Sequence, residues 1–254
     1  MAESFGIEAE RYDRTRPHYP AALVDRLLAS SPGRDVLDVG CGTGIEGRQF
    51  QAAGCTVVGV DPDERMAEFA RRGGLTVEVS TFEDWDPAGR TFDALIAGTA
   101  WHWVDPEAGA AKAGQVLRPN GRLAPFHNLF QLPHEVARAL GDAYRHVLPD
   151  SPVDWADFLL RPAVDAYQPV FTTMADGIRR AAVFSEPEQW RFDWDRTYTR
   201  DEWLEQLPTF GALTRVPADQ VAQIQASTAV AVDGLGGSIV VSYSTIAVTA
   251  VRMA

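Results

Sequence analysis

The chain has 254 residues, 46% of them hydrophobic and 23% charged, with a formal net charge of -12. That balance suits one generous domain, or a core with an elaborate insertion, and gives no sign of disorder. Lys112 is the only lysine and no basic run occurs, which excludes a groove built for a long polyanion such as DNA or RNA.

Cys41 and Cys55 are the only cysteines, too few for a disulfide framework and without the neighbours of a zinc site, so no metal is expected. The N-terminal Met-Ala-Glu-Ser-Phe lacks the basic start and apolar run of a signal peptide. The apolar segment 94–104 is interrupted by Gly98 and His102, and no stretch reaches the length of a membrane span. The expected setting is a reduced cytoplasm, with no membrane partner.

Along the chain, Asp35 to Val39 is a short β-branched strand running into glycines, and residues 44–53 read as a helix stopped by Gly54. Thr56 to Val60 is a second buried-type strand. After Asp61-Pro62, Met66, Phe69 and Ala70 fall at helical spacing over 63–72, and Gly73-Gly74 stop that helix. Strands follow at 75–80 and 92–97. Asp105-Pro106 then opens an alanine-rich helix to Leu117, with an N-cap and a proline in the first helical position. Pro119-Asn120-Gly121 turns into a fifth strand over 122–127. The alternation predicts parallel βαβ units in an open, doubly wound, Rossmann-like α/β sheet.

Beyond residue 128 the pattern changes. Residues 129–190 read as an insertion of helical pieces, broken at Pro133, Pro149, Pro152, Pro162, Pro169 and Pro187 and lying over the carboxyl ends of the strands. Residues 191–199 suggest a sixth strand, 201–206 and 217–232 two helices, and 238–253 a long final strand or a tight hairpin. The expected organisation is a single domain: a core over 1–128, the insertion over 129–190, and sheet-completing elements over 191–254.

Gly40-Cys41-Gly42-Thr43-Gly44 links the first strand to a helix, and such a loop lets a ligand approach the backbone. Asp61 closes the second strand, where a carboxylate faces the ribose of a nucleotide laid across the loop. Gly42-Thr43-Gly44-Ile45-Glu46-Gly47 also satisfies G-x-G-x-x-G, so a nicotinamide dinucleotide is an alternative. Asp38, two residues ahead of Gly40, weighs against it: the carboxylate would repel a pyrophosphate and attract an ammonium.

Val36 to Gly44 resembles motif I of the class I S-adenosylmethionine-dependent methyltransferases, whose pattern is close to V-L-D-x-G-C-G-T-G. Phe82-Glu83-Asp84, Phe92-Asp93 and Leu117-Arg118-Pro119-Asn120-Gly121 extend the resemblance, with Asn120 replacing a glycine of the family's turn. The resemblance covers about residues 5–128. It implies a mostly parallel seven-stranded sheet, S-adenosyl-L-methionine as cofactor, and S-adenosyl-L-homocysteine as product. It also implies cofactor contacts from Asp38, Gly40, Gly42, Thr43, Gly44, Asp61, Pro62, Met66, Phe82, Glu83 and Gly98.

Tyr12, Arg16-Pro17 and Tyr19-Pro20, together with Trp101-His102-Trp103 after the fourth strand, resemble a narrower branch that includes trans-aconitate methyltransferases. By that resemblance Tyr12 and Tyr19 cover the cofactor, while Arg16, Trp101, Trp103 and Asn128 meet a small-molecule acceptor, weakly favoured to be a carboxylic acid. His102 is the candidate general base or substrate contact. Arg161, Arg179 and Arg180 are further candidates for an anionic acceptor. Phe158, Tyr167, Phe171, Met174, Phe184 and Trp190 suggest an apolar pocket or lid. A protein that binds the nucleoside without catalysis would share the loop and Asp61. Pro125 puts the pairing of the fifth strand in question, because proline supplies no ladder donor. Oligomeric state is not legible.

Overall fold

Val36, Leu37, Asp38 and Val39 are buried from both sides of their strand, as a central position in a parallel sheet requires. The structure, a computed structural model, describes residues 8–254; the N-terminal residues read above for a signal sequence lie outside them. The strands are β1 (Asp35–Val39), β2 (Thr56–Asp61), β3 (Thr76–Val79), β4 (Phe92–Gly98), β5 (Leu117–Gln131), β6 (Glu188–Thr199) and β7 (Ser238–Val251). They form one seven-stranded sheet in the order β3-β2-β1-β4-β5-β7-β6. The first five run parallel, and β7 is antiparallel to both of its neighbours. This is the doubly wound, mostly parallel sheet expected from the sequence. Strand order reverses between β1 and β4, the crevice where open α/β sheets hold ligands.

Helices cover both faces. One face carries α2 (Ala21–Ala29), α3 (Ile45–Ala52) and α4 (Glu64–Arg72), whose Leu23, Leu27, Phe50, Ala67 and Ala70 pack on Val36, Ala94, Ile96 and Phe126. Asp63 caps α4 by accepting from the Arg65 amide. The other face carries α5 (Pro106–Val116), capped by Asp105 with Pro106 in its first turn. Ahead of the core, α1 (Ala9–Thr15) is a short helix tied down at two points. Asp13 pairs with Arg48 at 2.5 Å, and Arg14 pairs with Glu205.

The insertion departs from its expected form. β5 continues to Gln131 and β6 starts at Glu188, so both boundaries fall inside strands. Its helices are α6 (His134–Val147), α7 (Trp155–Leu160) and α8 (Ala163–Arg180). Pro169 does not break α8, because Phe171, Met174 and Ile178 bury a stripe on the sheet beside Ala110, Ala113, Leu95 and Leu123. Phe171, Met174 and Phe184 thus belong to the sheet's core, and Trp190 packs on the opposite face. Arg179 and Arg180 pair with surface carboxylates, and Arg161 caps α7. α6 joins α9 (Arg200–Gln206), α10 (Ala218–Gly234) and one face of β7 in a third cluster around Leu140, Trp203, Ile224 and Val241.

Residues 238–251 are one long strand, not a hairpin. Pro125 lies within β5 opposite Ala97 of β4; toward β7 the ladder is interrupted at 124–125 and resumes at Phe126 and Ala247 in unchanged register. The missing amide opens a gap without shifting the strand. Among the described residues no helix is long and apolar enough to cross a membrane.

Candidate active site

The turn leaving β1 can form only because its glycines tolerate the left-handed region: Gly40, Gly42 and Gly44 have φ of 68°, 53° and 86°. Gly40 also abuts Ala100, where a Cβ would lie 2.5 Å from that side chain. The turn is sewn to the neighbouring strand, since the Gly40 amide donates to the Val60 carbonyl and the Gly42 amide to Asp61 Oδ2, 2.8 Å away. Asp61 Oδ1 accepts from the Asp63 amide at the same distance. Asp61 therefore buttresses the loop while closing β2.

A cavity opens over this turn, at the carboxyl ends of β1 and β4. Of the residues singled out in the sequence, it is lined by Tyr12, Arg16, Tyr19, Gly40, Gly42, Thr43, Gly98 and Asn128. Asp38, Gly44 and Asp61 stand at or behind the loop. Asp38 is fully buried and neither carboxylate oxygen has a partner; the buried Thr43 hydroxyl also has none. An unpartnered buried carboxylate is costly unless a ligand completes it.

Seven other candidates do not line the cavity. Met66 and Phe82 are core residues, Phe82 packing on Trp85 and Trp101. The Glu83 carboxylate accepts from the Asp105 amide, and Trp101 is buried against Phe82. Trp103 is largely exposed and stacks on His102. His102 Nδ1 lies 3.2 Å from Nε2 of His127, a buried histidine that the sequence left unassigned. Burial lowers His102 to about 4 and His127 to about 3, the latter helped by His102. Neither tryptophan nor His102 lines the cavity, and Pro62 sits beyond Asp61.

The rest of the lining is Pro17, Cys41 and Ile45, which fall within the sequence motifs without an assigned contact, and Glu46, Thr99, Phe130, Gln206 and Tyr243, which sequence reasoning missed. Thr99 holds a φ of 55°, unusual for a branched residue, and bonds the Tyr19 hydroxyl at 3.0 Å. Tyr243 comes from β7, stacked on Trp194 with ring centroids 4.3 Å apart and bonded to the Tyr198 hydroxyl at 2.8 Å. Asn128 is fixed by Thr245, whose hydroxyl donates to Oδ1 at 2.6 Å.

Charge divides the cavity. Near the loop, burial raises Asp38 well above the carboxylate range, Glu46 to about 8 and Asp61 to about 6, and the carboxyls raise one another. Arg16 also lines the cavity, its guanidinium over the rings of Tyr12 and Phe210 at 5.0 and 4.9 Å. Its Nη2 donates to the Thr209 carbonyl at 2.7 Å, its buried Nε has no partner, and no described carboxylate pairs with it.

Residues 36–121 match the family of methyltransferase domains. An uncharacterized methyltransferase of Mycobacterium tuberculosis is 38% identical over 130 residues, 50% of this chain and 53% of that protein. A nocamycin O-methyltransferase of Saccharothrix syringae is 40% identical over 128 residues, 44% and 45% of the two chains. The chain thus spans about half the length of these curated relatives. A solved structure from Anaeromyxobacter dehalogenans, provisionally described as a type II methyltransferase, superposes with a TM-score of 0.66 at 25% identity. It covers 94% of this chain and 98% of its own. Residues 36–121 thus resemble a methyltransferase domain, and nearly the whole chain shares its fold with a methyltransferase of solved structure.

Proposed function

We propose that this protein transfers a methyl group from S-adenosylmethionine to a small carboxylic acid, forming an ester. The observation that carries the acceptor class is Arg16: a stacked guanidinium with no carboxylate partner, in the same cavity as the glycine loop, on a chain of net charge -12. A planar fork fixed by two rings suits a carboxylate. The likeness to a nocamycin O-methyltransferase supports methylation at oxygen.

Bound S-adenosylmethionine supplies a methyl group already activated on a sulfonium. The protein's own task is positioning. The loop and the Asp61 position hold the nucleoside, Tyr12 and Tyr19 shield it from water, and Arg16 with Asn128 orients the acceptor. A carboxylate is ionised at neutral pH and needs no base. His102, neutral above about pH 4 and outside the cavity, has no proton to take from it.

The test is calorimetry with S-adenosylhomocysteine, then incubation with S-adenosylmethionine and a panel of small carboxylic acids, phenols and amines, followed by mass spectrometry. Ester formation with acids is expected. Binding of NAD(H) without S-adenosylhomocysteine would overturn the assignment, and turnover of phenols or amines alone would overturn the acceptor class. Arg16→Met should raise KM for the acid by about 10–100-fold, the cost of a lost charged hydrogen bond, with the cofactor's KM nearly unchanged. Equal loss on both would mean that Arg16 grips the carboxylate of the methionyl group. His102→Ala should lower kcat only a few-fold and leave the pH profile in place; a lost basic limb would restore a general base.

A further inference from the structure

Asp38 is the acid whose position and charge in the sequence suit the amino group of the bound nucleoside, yet it has no surface on the cavity. It is fully buried beneath the loop, beside Gly47, where a Cβ would fall 3.0 Å from Oδ2. The carboxylate that does reach the cavity is Glu46, in the first turn of α3. Its side chain lies across the end of β4. A Cβ on Gly98 would collide with Glu46 Oε1 and stand 2.7 Å from the Tyr19 hydroxyl, so Gly98 leaves the room that Glu46 occupies. Glu46 is 5% exposed, and no described arginine, lysine or histidine forms an ion pair with it. The charges facing it are Asp38, Asp61 and Arg48, and the backbone amides of Glu46 and Gly98 donate to its carboxylate.

We propose that Glu46 makes the direct contact with the α-ammonium of the bound nucleoside, and that Asp38, unpartnered beneath it, supports that contact from behind. The inference rests on the nucleoside-binding reading above. A cation is the ligand group that such a pair of buried acids completes: one ammonium offsets one carboxylate and weakens the repulsion between the two. Phosphate is excluded from the same place by the same charge.

The experiment compares wild type with Glu46→Gln, isosteric and relieved of a buried charge, by calorimetry in two buffers of different ionisation enthalpy. The probes are S-adenosylhomocysteine, 5′-methylthioadenosine, which lacks the amino-acid end, and S-adenosylmethionine. Expected is a loss of at least 10-fold for S-adenosylhomocysteine and less than 2-fold for methylthioadenosine, with a smaller proton release than in the wild type. A thermal midpoint no lower than that of wild type confirms that the variant is folded. Unchanged S-adenosylhomocysteine affinity overturns the proposal, as does equal loss for methylthioadenosine, which marks a role in shaping the loop. Loss confined to S-adenosylmethionine assigns Glu46 to the sulfonium and also overturns it. Wild type that binds methylthioadenosine but not S-adenosylhomocysteine sinks this inference alone. Wild type that binds none of the three sinks the nucleoside reading with it.

Discussion

Gly98 shows how much one missing methyl can settle. Adding it back as Gly98→Ala places a carbon inside contact of Glu46 and 2.7 Å from the Tyr19 hydroxyl, both of them cavity residues. The expected outcome is about 1–3 kcal/mol of destabilisation from overpacking together with loss of measurable S-adenosylhomocysteine binding, checked by denaturant melts and calorimetry. Normal binding would show that the strand end can give way. Gly40, Gly42 and Thr43 were legible as a tight glycine turn because that signal is local, whereas Gly98 entered only through the family resemblance. Glu46 was not legible. Within G-x-G-x-x-G it occupies an unspecified position, and only its burial against β4 separates it from an ordinary first-turn acid. The same holds for His127, whose partner His102 lies 25 residues away.

Among the elements, α1 links the cofactor loop to the C-terminal half. Arg48 donates to the Thr43 carbonyl at 2.6 Å and pairs with Asp13 of α1, while Arg14 of α1 reaches Glu205 of α9. Partly exposed pairs of this kind are worth about 1 kcal/mol or less, so their effect lies in placement. Arg48→Met should weaken S-adenosylhomocysteine binding several-fold with the thermal midpoint nearly unchanged; a matching fall in both would reduce Arg48 to a stability residue. The βαβ elements were legible through Asp35, the Gly54 and Gly73 stops and the Asp105-Pro106 cap. The extent of β5 and the course of α8 were not. Pro125 and Pro169 read locally as interruptions, and pairing with β4 together with the buried Phe171, Met174 and Ile178 overrides them.

For the whole molecule, buried titratable groups act in opposite directions. Burial raises Glu46 to about 8 and Asp61 to about 6, so these carboxyls favour the fold below the ordinary carboxylate range and lose that contribution as pH climbs through those values. His102 and His127 are depressed to about 4 and about 3. Their contribution is complete above the ordinary histidine pKa of about 6.5 and disappears as pH falls from there toward 3. Above about pH 6.5 the histidine contribution is constant, so the ligand-free protein should lose thermal stability from there to about pH 8, the value to which Glu46 is raised, and S-adenosylhomocysteine should stabilise it increasingly over that window. The acid limb should not respond to ligand. A ligand-induced shift independent of pH would mean that the buried acids are not coupled to binding.

β7 is later in the chain than β6 yet lies between it and β5. Until β7 docks, β6 has no neighbour in the sheet and Tyr243 is absent from the cavity, while β1 to β5 can already pair and shape the glycine turn. A folding chain would thus acquire its nucleoside grip early and its far pocket wall late, so refolding should restore homocysteine-nucleoside binding ahead of turnover.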